Sequence, residues 1–326
     1  MAHLANPLAT TSQLYQHTIL SSLPQDLQES IFIATQCLTQ AAGQLLDLPQ
    51  SVTARANVIL ARYWLVDSPM AHEFSVRFST SHRLPTCPTM VANTCQDASA
   101  AAIYLVAKVG PIPRSPRDVS NVYAYLLSSS STLFKTGVVP KNDPKTYYQS
   151  EADYFSFQNR LLVLESRILY ALTFNTHAAL PHALAITYLQ TMDFLSQPKS
   201  SISRKTIQHL NTALLSPQML YLTHQPNTLA TAAIYNAARD VGAKMPDCDW
   251  WEVFDVDREE LGFLVVGMRS VEGWFRQRKE EAPELFKGML TRKLIEGEMR
   301  KRGLQVTNGE GKEDEEDEVM KIMDNR

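Results

Sequence analysis

The stretch "AAIYLVAK", Ala101 to Lys108, returns as "AAIYNAAR", Ala232 to Arg239, 131 positions later. The two octets share Ala, Ala, Ile and Tyr, then Ala at the seventh place and a cation at the eighth. A helix written this way is apolar or small nearly all the way round, the pattern of a central helix enclosed by neighbours and not of an amphipathic surface helix. Small side chains let those neighbours approach closely. Each octet is followed by a proline-bearing loop and a short helical segment, "GPIPRSPRDVSNV" (Gly110–Val122) after the first and "GAKMPDCDWWEVF" (Gly242–Phe254) after the second. The period is far too long for a solenoid, so what repeats is a whole helical bundle.

Around the octets, helical spacing dominates and strand alternation is nearly missing. The periodicity predicts helices over Pro24–Leu46, Ser51–Val66, Ala98–Lys108, Pro116–Leu127, Ala152–Leu172, Pro181–Phe194, Ser203–Leu215, Asn227–Val241 and Arg258–Phe275, with a short one near Asp249–Phe254. Prolines stand at most of the starts, where a missing amide costs nothing. The serine run Ser128–Ser131 and "KTGVVPKNDPK" form a loop between helices. At 326 residues the chain is too long for one ordinary helical core and comfortable for two.

Charge and cysteine usage exclude several function classes. With 31 basic and 34 acidic residues and a pI near 6.3, no global positive field attracts nucleic acid. From Arg276 onward stand 12 basic and 13 acidic residues, leaving 19 and 21 for the first 275 positions, so the body is sparsely charged and the tail dense. No run reaches the roughly 20 apolar residues that cross a bilayer, and "MAHLANPLATTSQLYQ" lacks the pattern of a secretory signal, which predicts a cytosolic or nuclear chain. Cys37, Cys87, Cys95 and Cys248 form no CxxC pair and no zinc or disulfide spacing, and read as reduced packing residues. There is no HExxH, no Gly-rich phosphate loop, no nucleophile elbow and no dense His/Asp/Glu cluster, so no catalytic group, metal or cofactor is expected. His177 and His182, across an interhelix turn, read as cap or surface residues and not as ligands.

Tandem bundles with Ala-rich central helices resemble the tandem cyclin box. The strings "QAAGQLLDLPQ" (Gln40–Gln50), "PRSPRDVSNV" (Pro113–Val122), "LESRILYALTFNTHAALPHALAITYLQ" (Leu164–Gln190) and "QPNTLATAAIYNAARDVGAKMP" (Gln225–Pro246) resemble the transcription- and splicing-associated cyclins, cyclin L in particular. "DWWEVFDVDREEL" (Asp249–Leu261) is equally similar to cyclin Q. The resemblance implies an all-α fold of two cyclin boxes of about five helices each, and no chemistry in this chain. It also implies a nuclear regulatory subunit of a cyclin-dependent Ser/Thr kinase, acting in transcription by RNA polymerase II or in pre-mRNA processing, with no direct nucleic acid, membrane or small-molecule ligand. The expected organisation is an arm over 1–23, a first box over 24–174, a second over 175–275, a charged helical extension over 276–307 and a disordered acidic tail over 308–326.

Lys108 closes the first central helix, where the helix dipole favours a cation, and stands at the position of the family's kinase-contacting lysine. Glu165 interrupts the apolar stripe of Leu161, Ile168 and Leu172, and Phe174 follows it at the family's nine-residue spacing. Lys108, Glu165, Leu161 and Ile168 are therefore the expected kinase-binding set. The chain also departs from the pattern. Gly110 and Pro111 occupy the place of a usual acidic pair, the docking motif of cell-cycle cyclins is not recognisable in "PQDLQESIFIATQCLTQ", and an acidic tail replaces an Arg/Ser-rich one. A TFIIB-like factor would need basic faces and commonly a zinc ribbon, which this body lacks; a kinase-independent helical adaptor stays open as an alternative.

Val76 to Gln96, "VRFSTSHRLPTCPTMVANTCQ", reads as an insertion. The family pattern puts the central-helix lysine 13 residues after an aromatic, whereas Phe74 and Lys108 are 34 apart, an excess of 21. The segment is poor helix material, holding Pro85 and Pro88 among many Ser and Thr. Val-Arg, Ala-Asn and the closing Gln permit GTACGT, GCTAAC and CAG, the signals of a short fungal-type intron. A retained intron and a family-specific surface insertion, which loop-closure entropy tolerates, both fit.

Overall fold

The computed structural model describes residues 5–19, 23–67, 94–133, 142–195, 201–286 and 289–303, and among them the regular structure is helical, with no strand. After α1 (Thr11–Ile19), the first bundle consists of α2 (Gln25–Leu45), α3 (Gln50–Val66), α4 (Thr94–Val109), α5 (Pro116–Leu127) and α6 (Glu151–Ala171). The second consists of α7 (Pro181–Thr191), α8 (Ser201–Leu214), the single turn α9 (Leu220–Thr223), α10 (Pro226–Val241) and α11 (Arg258–Glu281). The last helix is α12 (Arg292–Lys301).

The octets lie in α4 and α10, and each is the axle of its bundle. α4 packs on α2, α3 and α6, and α10 on α7, α8 and α11. Ala98, Ala101, Ala102, Ile103 and Ala107 are fully buried in the first, and Ala230, Ala232, Ala233, Ile234 and Ala237 in the second. Several polar groups between these helices pair with one another, as burial favours. Ser99 on α4 bridges Thr39 of α2 (2.7 Å) and the Tyr123 hydroxyl of α5 (2.6 Å). The Asn57 amide of α3 donates to the Gln36 backbone carbonyl of α2 at 3.1 Å. Gly43 lets these two helices cross closely, because a Cβ there would run into the Thr53 side chain.

Helix boundaries follow local chemistry. Ser115 with Asp118 and Ser150 with Asp153 form capping boxes at α5 and α6, and Pro181 and Pro226 open α7 and α10. Gly242 ends α10 in the left-handed region (φ 70°). The structure departs from the sequence reading in four places. α1 and α9 were not anticipated; α7 stops at Thr191, with Asp193 at φ 56°; α11 runs on to Glu281; and α4 begins at Thr94. Thr94–Gln96, the end of the suspected insertion, therefore form the first turn of the axle helix. Cys95 and Gln96 are buried there, and the Gln96 amide donates to the Leu290 carbonyl at 3.1 Å. The rest of that segment, 76–93, and the acidic stretch 308–326 lie outside the described residues.

Both ends of the described chain return to the bundles. The Asn6 side chain pairs with the Ala179 backbone in both directions, donating to its carbonyl and accepting from its N–H at 2.8 Å each. The Ala9 amide donates to the Leu222 carbonyl at 2.7 Å. At the other end, Trp274 Nε1 donates to Glu29 at 3.0 Å and Arg302 pairs with Asp26 at 2.6 Å, which ties the charged extension to α2.

Candidate functional site

Lys108 and Glu165 meet across the first bundle. α4 ends at Val109, which puts the Lys108 ammonium in its negative last turn. α6 packs alongside and brings Glu165 Oε1 to 2.6 Å from Lys108 Nζ. The pair is asymmetric: the lysine side chain is 50% exposed and the carboxylate 7%. The hydrogen bond that Lys108 donates to Glu165 raises the Lys108 pKa above its ordinary value, against a smaller desolvation effect, and the Tyr104 ring lies 5.5 Å from the ammonium. A cation is thus presented at the surface while its counter-ion stays anchored within.

Leu161 and Ile168 do not share that surface. They are 1% and 0% exposed, sealed into the core one helical turn to either side of Glu165, and a partner cannot touch them without opening the bundle. They are corrected here from contact residues to the packing that holds Glu165 in place. The apolar groups on the outer side of α6 are Phe155, Leu162, Val163 and Tyr170, spaced as an exposed stripe, and Phe174 beyond its end; Val109 follows Lys108 into solvent. Phe174 is 62% exposed, with its ring edge-on to Tyr170 at 5.5 Å. Its backbone, like that of Thr173, is left-handed (φ 60° and 48°), a conformation that costs a non-glycine residue about 1–2 kcal/mol. Two consecutive residues in this conformation place the aromatic ring of Phe174 in water.

The sequence reading missed a second ion pair on the same two helices: Arg160 Nε donates to Asp97 Oδ2 at 2.8 Å. Desolvation raises the Asp97 pKa and the guanidinium opposes it. Only the spacing of Arg160 from Glu165 along α6 could have hinted at it. His177 is exposed, and His182 bonds Asn211 through Nε2 at 3.0 Å. Among the described residues no group of three or more His, Cys, Asp or Glu could hold a metal, and no helix is long and apolar enough to cross a membrane. Burial pushes the Cys37 thiol up to about 12, which keeps it protonated.

Two Ala-axled five-helix bundles in tandem are the architecture of the cyclin fold. No family model matches the chain. An uncharacterised cyclin-L1-like protein of Schizosaccharomyces pombe is 31% identical over 255 residues, covering 76% of this chain and 87% of that one, and the chain belongs to the cyclin L family. Cyclin-L1 of Danio rerio and cyclin-L2 of Homo sapiens are each 26% identical, over 90% and 83% of this chain. The chain spans about half the length of these vertebrate relatives, 51% and 48%. Among solved structures, a chain in the crystal structure of the yeast RNA Pol II CTD kinase CTDK-1 complex superposes with a TM-score of 0.60 at 12% identity, covering 85% of this chain and 84% of that one.

Proposed function

We propose that this cyclin binds and activates a cyclin-dependent Ser/Thr kinase in the nucleus, in transcription by RNA polymerase II or in pre-mRNA processing. The observation that carries the reading is the Lys108–Glu165 pair beside the outward-facing Leu162, Tyr170 and Phe174. An activating subunit must hold the kinase helix whose glutamate pairs with the catalytic lysine, and it adds no catalytic group. Exposed apolar groups supply most of the affinity of such a contact, and the charge fixes its register. The Lys108 ammonium keeps donors to spare beyond Glu165, which suits it to backbone carbonyls of a partner helix. Gly110 and Pro111 present no charge, so this face contacts its partner without the usual acidic pair. The names of the cyclin-L relatives and the kinase complex among the solved structures support the same direction.

The test is co-purification from the native cell, with the captured kinase identified and assayed on a Ser/Thr peptide. Lys108→Glu combined with Glu165→Lys, and separately Tyr170→Asp with Phe174→Asp, should release the kinase and its activity while the helical content is kept. A partner retained at wild-type strength through both pairs of changes would point to a kinase-independent adaptor working through another face. Retention of duplex DNA by the purified chain would point to the TFIIB-like alternative.

A further inference from the structure

Arg62 is a buried cation with no counter-ion among the described residues. It stands on α3 where the N-terminal arm, the α6–α7 connection and α9 converge, and the residue is only 9% exposed. Its Nη1 donates to the His177 carbonyl at 2.6 Å and its Nη2 to Asn6 Oδ1 at 3.3 Å, both neutral acceptors. Its Nε is buried and meets no acceptor. Burial lowers the Arg62 pKa, and no carboxylate among the described residues offsets that. The contrast is with Arg160, whose guanidinium is paired to Asp97. An unpaired buried charge and an orphaned N–H are both costly to keep.

The same guanidinium lines a cavity of about 280 Å³, whose wall also includes Gln13, Val66, Thr173, Asn175 and Leu222. Liquid water takes about 30 Å³ per molecule, so the space is that of a side chain with its neighbours and not of a lone solvent molecule. Of the five N–H groups of a guanidinium, two are committed here, and the N–H groups left on Nη1 and Nη2 can donate to the oxygens of a carboxylate or phosphate. Val66 and Leu222 suit the carbon stem behind such a group. Thr173 and Asn175 flank the exposed Phe174, which puts the cavity wall adjacent to the candidate face.

We infer that the Arg62 cavity receives the oxyanion of a partner protein's side chain, a carboxylate or a phosphate. The inference stands on the unpaired guanidinium and its cavity, and does not require the partner to be a kinase. The rival occupant is Glu73, the one acidic residue between Asp67 and Asp97.

The test uses the full chain labelled with ¹⁵N-arginine, in which the Arg62 Nε–H resonance is identified by its loss in Arg62→Lys. Pentapeptides Ala-Leu-X-Leu-Ala with X as phosphoserine, glutamate or glutamine are titrated while that resonance is followed. The expected result is a saturable shift with one or both anionic peptides and none with the neutral one; the phosphoserine and glutamate arms tell a phosphate source from a carboxylate source. Arg62→Lys should weaken binding roughly tenfold or more by losing the planar fork, read from the backbone amides of Ala9, Gln13 and Val66 in the uniformly ¹⁵N-labelled chain. Val66→Glu changes an exposed wall residue, so it keeps the test informative if Arg62→Lys fails to fold, and it should weaken binding comparably by repulsion. Equal response to the glutamine peptide, no response to any peptide, affinity unchanged in Val66→Glu, or binding that emerges only in Glu73→Gln would each overturn the inference. The last outcome would mean that the chain fills its own cavity.

Discussion

Removing Lys108 should cost the free chain more than neutralising Glu165, although the two form one ion pair. The reason is their unequal burial, 50% against 7% side-chain exposure. Lys108→Ala strands a carboxylate that water barely reaches. The loss of one partner of a buried charge pair runs to about 2–5 kcal/mol, and the low end, about 2 kcal/mol, applies here because the site lies at the rim. Glu165→Gln leaves a hydrogen-bonding side chain and frees an ammonium already half in water, a loss of about 0.5–1 kcal/mol after solvent screening. With a urea slope of about 1–3 kcal/mol per molar, the midpoint should fall by about 1 M in the first variant and by roughly a third of that in the second. A pH signature accompanies this. In the wild type the pair raises the Lys108 pKa, so its stabilisation is fully present below the ordinary 10.5 and is lost only as pH rises through the raised value. A Glu165→Gln midpoint as low as that of Lys108→Ala would refute the reasoning.

Gly43→Ala should destabilise the first bundle by about 1–3 kcal/mol through overpacking against Thr53, and Thr53→Ala should recover part of that in chemical denaturation of the double variant. Burial lowers the His182 pKa, so the stability held by its neutral form is present above 6.5 and is lost as pH falls through its lower folded value; His182→Gln should flatten that part of the acid-side fall in Tm. Asn6→Ala removes the two-way pairing with Ala179 and should lower stability by about 1–2 kcal/mol, with faster hydrogen exchange at the Ala9 amide as the local readout.

The bundles were legible because burial on every side leaves a compositional mark that needs no partner sequence to read. Ala-rich octets and prolines at helix starts are local signals, and the structure follows them closely. α1 and α9 left no such mark. α1 lies in a segment without a strong apolar period, and α9 is a single turn fixed by its neighbours, so tertiary contact decided both. The extension of α11 to Glu281 was hidden by its change from apolar to charged faces, although Trp274 still reaches Glu29. The site was legible in part. The same stripe that exposed Glu165 as an interruption also drew Leu161 and Ile168 into the contact set, because periodicity gives the face of a helix and cannot say which neighbour covers it. Leu162 and Tyr170, one step round, are the residues left uncovered.

The repeat itself shows why the fold was easier to read than the site. Both octets end in a cation, yet only Lys108 finds a carboxylate on a neighbouring helix, Glu165 of α6. Arg239 is exposed, and its neighbour Asp240 instead pairs with His209 of α8 and with Arg269 of α11, which locks the second bundle internally. Arg269 further donates to Asn236, a residue fully buried in the octet. The two axles therefore end in different electrostatic arrangements. In the first, a buried acid of α6 anchors the octet's own cation, which stays half in water. In the second, the octet's cation is exposed and Asp240 beside it engages bases of α8 and α11. Octet composition governs burial and is nearly identical in the two copies, whereas the charge offered at the helix end depends on which residue the packed neighbour brings there. The proposed interface on the first box rests on an ammonium held in place by a buried carboxylate, which Arg239 at the end of the second axle lacks.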